Sequence, residues 1–452
     1  MLPTCVDTTL ETRERYSHDW TEDLRFLPDA VAIPQSEKEL QSVLSHAYSR
    51  DIPIVPAGGR TGLSGGMLPV KSGWVVSLEK LNRILHLDTD NLIAVVEAGV
   101  ITQHLQEAAE AVGLFYPPDP SSRGSCTIGG NIAHNAGGVR AVKYGTTRNY
   151  VLGLSGFLPD GRPLRTGSYT LKNSTGYNLT QLLVGSEGTL AVISQAVLRL
   201  LPRPLYVHTL LLGFPDAVSA VAAVSAILRK GILPAAVEFM EREAVLFGEA
   251  YLGEVLYPGA RDFGGLLLIE VDGNFPEALE AECAIIEETG WAHGATRSWY
   301  AQTAGERERL WRLRRCLGIA VKSSGPYKEE DTVVPRTVLP ELLAYVKQLG
   351  EEYGFRSVCY GHVGDGNLHI NILREGLSER SWREEVPAAV EKLFRFVIAR
   401  GGALSGEHGI GWVQRRYMPL QFQPHELELM RALKRTFDPK GLLNPQKIFP
   451  DA

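Results

Sequence analysis

Hydrophobic positions fall into two regimes along the chain. From Pro28 to Leu200, short β-branched runs are separated by glycine and proline clusters. "DAVAIPQSEKELQSVLSHAYSR" predicts a strand, a turn at Pro34 and a helix capped by Ser36. Glu39 stands three residues after Ser36, which is a capping-box pattern. "IPIVPAGG", "GWVVSLEKL", "NLIAVVEAGV" and "GTLAVISQAVLRLLP" predict further strands. The pattern breaks at "LLPRPLYVH", around Pro202 and Pro204. Beyond it, "LYVHTLLLGF" and "GGLLLIEVDG" predict strands, and "DAVSAVAAVSAILRKG" and "PEALEAECAIIEETG" predict helices. This alternation suggests an antiparallel sheet covered by helices, an α+β class. The expected layout is an N-terminal segment (1–25), a first domain (26–204) and a second domain (205–450), with no internal repeat or low-complexity tract.

Composition narrows the functional classes. The 452 residues exceed one ordinary core. Apolar content of 44% and charged content of 22% are those of a globular protein. A net charge of −6 argues against nucleic acid as the main partner. The first twenty residues contain no apolar stretch like that of a secretory leader, and no run predicts a transmembrane segment. The expected location is the cytoplasm, or the membrane periphery through a partner. The five cysteines (Cys5, Cys126, Cys283, Cys316 and Cys359) are scattered. They offer neither a disulfide framework nor the clustered thiolates of an iron–sulfur centre.

Three glycine-rich loops stand out in the first half: "GGRTGLSGG" (58–66), "PPDPSSRGSCTIGGNIAHNAGG" (117–138) and "VGSEGTLAVI" (184–193). The first comes directly after a strand. It lacks the lysine of a Walker loop. The next stretch, "MLPVKSGWVVSLEKL", returns to strand rather than opening the helix of a dinucleotide fold. That leaves a nest of backbone N–H groups suited to a diphosphate, or plain turns.

The second half carries "YGHVGDGNLHINIL" (360–373). Strand alternation puts Leu368, Ile370 and Ile372 on one face, and His369 and Asn371 on the other. The glycine turn brings His362 back toward His369. Glu407 in "GGALSGEHGIG" offers a third ligand and leaves His408 as a base. Two imidazoles and a carboxylate suit a divalent metal. Solvated turns and core histidines are the alternative. "RLWRLRRCLGIAVKSSGPYKEED" supplies arginines and Lys328 for a carboxylate, or a solvated helix face.

The motifs "PIVPAGGRTGLSGG", "PPDPSSRGSCTIGGNIAHNAGG" and "GYNLTQLLVGSEGTLAVI" resemble the FAD-binding domain of the vanillyl-alcohol oxidase and p-cresol methylhydroxylase superfamily. "GHVGDGNLHINI", "SGEHGIG" and "FDPKGLLNPQKIF" resemble its FAD-linked oxidase C-terminal domain. They match the branch containing glycolate oxidase, D-lactate dehydrogenase and D-2-hydroxyglutarate dehydrogenase. The resemblance covers Pro28 to Phe449. It implies a two-subdomain PCMH-type FAD-binding domain followed by the α+β oxidase domain.

Residue by residue, the resemblance implies that Gly58, Gly59, Thr61, Gly62, Ser64 and Gly65 cradle the FAD pyrophosphate. Pro118, Ser121, Thr127, Gly129, Gly130, Asn131, Asn135, Gly137 and Gly138 would run beside the flavin. Glu187, Gly188 and Ile193 would lie near the adenosine half, and Asn444 near the flavin. His362, His369 and Glu407 would bind zinc, with manganese as the second choice, and His408 would be the catalytic base. Arg314 and Lys328 would hold the substrate carboxylate with Asn371, alongside Trp311 and Tyr327; Arg315 rivals Arg314. Two positions depart from the family pattern: Arg60 inside the first loop, and His134, which raises covalent flavin attachment. Noncovalent FAD is the expectation.

The implied reaction is oxidation of a small (R)-2-hydroxy acid to its 2-oxo acid. With no second redox centre in the chain, a quinone, an electron-transfer flavoprotein or an iron–sulfur subunit would take the electrons. Homodimer and hetero-oligomer both stay open. The alternatives are a non-catalytic electron-relay subunit and an ether-lipid synthase-like enzyme.

Overall fold

The computed structural model describes residues 2–21, 24–257 and 259–451. They form two units that are not contiguous in sequence. One comprises Met1–Gly137, Gly145–Arg203 and Glu407–Ala452; the other comprises Gly138–Tyr144 and Pro204–Gly406. Among the described residues, no helix is long and apolar enough to cross a membrane.

The first unit contains a four-stranded and a five-stranded sheet among its described residues. The smaller runs Val6–Asp7, Ala30–Ala32, Trp74–Ser77, Ile54–Ala57, with the last two junctions parallel. Trp74–Ser77 is buried throughout, which is why its run is continuously apolar rather than alternating. The larger sheet is antiparallel, in the order Ile84–Asp88, Ile93–Glu97, Val192–Arg199, Val151–Phe157, Pro163–Gly167. Each of the five runs read as strands in the first half lies in one of these sheets.

Helix Glu37–Tyr48 buries Leu40, Val43, Leu44 and Ala47, a helical stripe packed with Ile54, Trp74 and Val76. Burial of each large aliphatic there contributes about 1.5–3 kcal/mol. Ser36 accepts from the Glu39 amide at 3.3 Å, as the capping box requires. The Glu39 carboxylate instead takes the Gln35 amide at 2.8 Å, one residue early. The C-terminal segment returns to this unit. Ile54 donates to Leu442 O and accepts from Asn444 N. Asn444 is thereby fixed at the edge of the strand that leads into the first glycine loop.

The second unit is built on a seven-stranded antiparallel sheet among its described residues. Its strands are β1 (Tyr206–Phe214), β2 (Ala236–Glu241), β3 (Gly265–Gly273), β4 (Arg297–Tyr300), β5 (Tyr327–Val333), β6 (Arg356–Gly361) and β7 (Asn367–Leu373). Their order is β4-β1-β3-β2-β6-β7-β5. Helices α1 (Ala217–Arg229), α3 (Pro276–Ala292), α5 (Leu339–Tyr353) and α6 (Val386–Ala399) cover one face. Helices α2 (Arg242–Leu252) and α4 (Ala304–Ser323) cover the other.

The α4 side explains where the polar groups sit. Leu211, Leu266, Leu268, Ala236, Met240, Val358, Tyr360 and Leu373 pack there against Leu310, Leu313 and Leu317. The same period-2 phase carries Glu238, His369, Asn371 and Glu329 onto that face. Every residue of β7 is buried, the polar His369 and Asn371 included, because helices cover both faces of the sheet.

Candidate active site

In the second unit, β6 and β7 pair antiparallel with Tyr360 opposite His369. The "GHVGDGN" turn closes this pair: Asp365 N and Asn367 N both donate to His362 O. The rings of His362 and His369 then lie 5.2 Å apart, nearly perpendicular. Both residues are 4% exposed.

Each imidazole meets carboxylates through Nδ1. His362 Nδ1 lies 2.8 and 2.9 Å from the two oxygens of Glu238. His369 Nδ1 lies 3.6 Å from Glu329 and 3.7 Å from Asp331. The strand register produces this, since β5 pairs with β7 so that Asp331 faces His369 and Glu329 faces Asn371. Asp331 also accepts from Asn367 Nδ2 at 2.7 Å and Ser405 Oγ at 2.8 Å. Its carbonyl accepts from Gly406 N.

Arg314 enters from α4, buried, with its guanidinium 2.7 Å from Glu238. It lies 5.2 Å from the Tyr360 ring. Burial and Glu329 push the Tyr360 phenol well above its usual range, against the opposing pull of Arg314. Arg315, one residue on, is half-buried over the Trp311 ring. Trp311 is anchored through Nε1 to Glu270 at 2.8 Å. Asn371 donates to Val358 O at 3.1 Å.

Lys328 needs correction. It pairs with Ile372, so it lies on the opposite face of the sheet from His369 and Asn371. Its ammonium sits 5.3 Å from the Trp382 ring. The family's Tyr-Lys pair implied a place for Lys328 at the carboxylate, but the strand's period of two turns the lysine to the other face and brings Glu329 in.

In the first unit the glycine loops come together. A Cβ at Gly58 would lie 2.4 Å from Thr127 Oγ1, and one at Gly59 only 2.2 Å from Ser125 O. The first two loops therefore press directly on each other. Thr127 caps the short helix Ile128–His134, accepting from Gly130 N, and Asn131 donates to Thr102. Gly129 packs on Ala98. Asn135 closes the helix in the left-handed region at φ +52°, its Oδ1 accepting from Thr146 and Arg148. Pro118 O accepts from Gln106. Gly62 O accepts from Trp20 N, and Gly65 N donates to Thr21. Thr61 lies in the same loop, half-buried. Arg60 turns away to Arg15 O and the Tyr16 ring.

Two residues of these loops hold the turn containing Glu407 and His408. Ser64 Oγ donates to His408 O at 2.9 Å, and Ser64 O accepts from Trp412 and Val413. Glu187 accepts from Ile410 N at 2.8 Å and Gly411 N at 2.7 Å. Gly188 is next along the chain with φ +66°, and Ile193 lies in strand Val192–Arg199. Ser121 stays in the turn before Thr127, and Gly138 opens the second unit's first segment. A Cβ at Gly137 would approach Glu407 to 3.0 Å.

The same loops leave polar atoms buried without hydrogen-bond partners. Asn444 gives its Nδ2 to Gly66 O and Glu187 O, while its Oδ1 has no partner. His134 Nδ1 is likewise unsatisfied, between Gly66 and Gly409. Such atoms in a native interior call for an explanation, a bound group or an ordered water among them.

The family described as FAD linked oxidases, C-terminal domain, matches residues 203–448, and the FAD binding domain matches 28–167. The chain belongs to the FAD-linked oxidase family. This FAD-linked oxidase is 38% identical over 448 residues to a glycolate oxidase subunit GlcD of Bacillus subtilis, covering 99% of this chain and 94% of that one. It is 40% identical to a D-lactate dehydrogenase of Archaeoglobus fulgidus, covering 92% and 90%. It is 36% identical to a D-2-hydroxyglutarate dehydrogenase of Stutzerimonas stutzeri, covering 99% and 96%. Its fold matches p-cresol methylhydroxylase with a TM-score of 0.81 at 17% identity, covering 99% and 94%. The match to alkyldihydroxyacetonephosphate synthase has a TM-score of 0.72 at 19% identity, covering 99% and 84%. The oxidase is thus an FAD-dependent oxidoreductase with the PCMH-type fold.

Sequence reasoning missed Glu238, Glu329 and Asp331. The signal for Glu238 was present: in "PAAVEFMER" it is a charge flanked on both sides by apolar residues of the strand, in phase with Ala236 and Met240.

Proposed function

We propose that the enzyme oxidises a small (R)-2-hydroxy acid, glycolate or D-lactate, to the 2-oxo acid and passes the electrons to a separate acceptor. The names of its relatives support the substrate class. The observation that carries the reading is the buried face on which His362, His369, Asn371 and Arg314 converge. A cationic guanidinium beside two imidazoles suits a bound carboxylate with a neighbouring metal-ligated hydroxyl.

The residues fit both absent groups. The glycine loops and the unsatisfied Asn444 Oδ1 and His134 Nδ1 suit noncovalent FAD. For a divalent ion, Glu238 holds His362 through Nδ1 and so presents Nε2 as the ligand nitrogen. His369 and Glu407 complete a two-nitrogen, one-oxygen set suited to zinc. Glu407 is next in sequence to Gly406, whose amide is tied to the strand opposite His369. When bound, FAD supplies the hydride acceptor and the metal an electrophile for the hydroxyl oxygen.

The chain's own residues do the rest. Arg314 grips the carboxylate. Asn371 orients the substrate, and His408 takes the hydroxyl proton. Loss of that proton and of the α-hydrogen as hydride gives the 2-oxo acid. The five cysteines are all free and provide no clustered second centre, so a quinone, an electron-transfer flavoprotein or an iron–sulfur subunit receives the electrons.

Anaerobic flavin reduction across a 2-hydroxy-acid panel, with and without chelator, tests this. His408→Ala should retain FAD and fail to bleach with D-lactate or glycolate. Rapid bleaching by that variant would remove His408 from the role of base, and wild-type bleaching unaffected by chelator would remove the metal.

A further inference from the structure

Glu238 is 0% exposed in the middle of β2, its carboxylate sealed from bulk solvent. A charge so placed is costly unless it is fully paired. Its pairing is unusual in joining two different groups. His362 Nδ1 approaches both oxygens, at 2.8 and 2.9 Å, and Arg314 Nη2 lies 2.7 Å from Oε2 as an ion pair without hydrogen-bond geometry. The three side chains come from three separate elements: β2, the turn after β6, and α4. Only the tertiary structure brings them together, and all three are nine-tenths or more buried.

We propose that Glu238 is a positioning residue that sets the metal ligand and the carboxylate clamp together. Resting on the metal and Arg314 roles given above, it assigns one function to a residue that touches neither substrate nor ion. By accepting from Nδ1–H it fixes the His362 tautomer, so that Nε2 carries the lone pair. By pairing with Nη2 of Arg314, it anchors one end of the guanidinium, while the buried Nε has no hydrogen-bond partner and is left for the substrate carboxylate. One carboxylate thus couples the orientation of the ion's ligand to that of the substrate's anchor. A glutamine in its place keeps one acceptor oxygen but no charge, and so loses the ionic part of both contacts.

The test uses the FAD-loaded enzyme. Zinc affinity is measured by competition with a chromophoric chelator, and KM and kcat with D-lactate. Glu238→Gln should weaken zinc binding about 10–100-fold. It should raise KM more than it lowers kcat, with FAD content and melting temperature near wild type. Glu238→Asp keeps the charge but withdraws it by one methylene, and should fall between the two. Unchanged zinc affinity and KM in a folded Glu238→Gln protein would overturn the proposal. So would failure of both variants to fold and hold FAD, which would make Glu238 a purely structural ion. If wild-type enzyme binds neither zinc nor manganese, the metal reading itself fails, a result obtained without any variant.

Discussion

The Glu187 clamp gives a prediction whose size can be worked from the coordinates. Its carboxylate is 6% exposed and receives two backbone donors, Ile410 N at 2.8 Å and Gly411 N at 2.7 Å. Both are short, charge-assisted bonds, each contributing roughly 1.5–3 kcal/mol net. Glu187→Gln keeps the side-chain volume and the left-handed backbone, φ +52°, so backbone strain cancels in the comparison. The amide can accept from one of the two N–H groups as a neutral acceptor. Its NH2 then faces the other donor. The local loss should be about 2–4 kcal/mol. In the fast-closing limit, where each 1.4 kcal/mol is tenfold, that lowers amide protection roughly 30- to 1,000-fold. Hydrogen–deuterium exchange at Ile410 and Gly411 reads this directly. Gly65 N, bonded to Thr21 Oγ1 at 2.6 Å, serves as the internal control. Flavin reduction by substrate should slow in the same variant, because His408 rides on this turn. Protection at the two amides within threefold of wild type would refute the clamp.

Other consequences can be measured as simply. Burial drives the Lys447 ammonium down to about 7, against the attraction of Glu187 and Asp19. Between pH 7 and 10 the unfolded chain therefore binds more protons at this site, so stability should rise with pH, by at most on the order of 4 kcal/mol. Urea unfolding across that range should show the rise in wild type relative to Lys447→Met; a difference constant with pH would count against it. A Cβ at Gly411 would stand 2.1 Å from Ser64 O at a φ of +52°, so Gly411→Ala should displace the His408 turn and cut flavin reduction at least tenfold, as single-turnover kinetics would show. Lys328→Met should leave KM for D-lactate within about twofold, whereas Arg314→Met should raise it more than tenfold, about 1.4 kcal/mol or more of lost carboxylate binding. Equal effects of the two would return Lys328 to the site.

Much of this enzyme was legible in its sequence. Ser36 and the stripe Leu40, Val43, Leu44 and Ala47 specify their helix locally, since caps and period-3.6 burial are encoded within a dozen residues. Strand phase within "NLHINIL" put His369 and Asn371 on one face for the same reason, and the glycine turn before it announced the return of His362. Motif likeness supplied the family and FAD, because loops that wrap a cofactor constrain many residues at short spacing.

The register between strands is a different matter. Nothing near Lys328 in the chain says that it faces Ile372, or that Glu329 faces Asn371. A slip of one residue would exchange the two, and only the pairing of the whole sheet excludes it. Glu238 meets His362 across more than a hundred residues, and Glu187 meets Gly411 across more than two hundred. The sequence by itself determined the local elements, the family and the kinds of side chain available for chemistry. Which carboxylate stands behind which histidine, and which cation faces the site, was decided by tertiary packing, because long-range pairing carries no local signal.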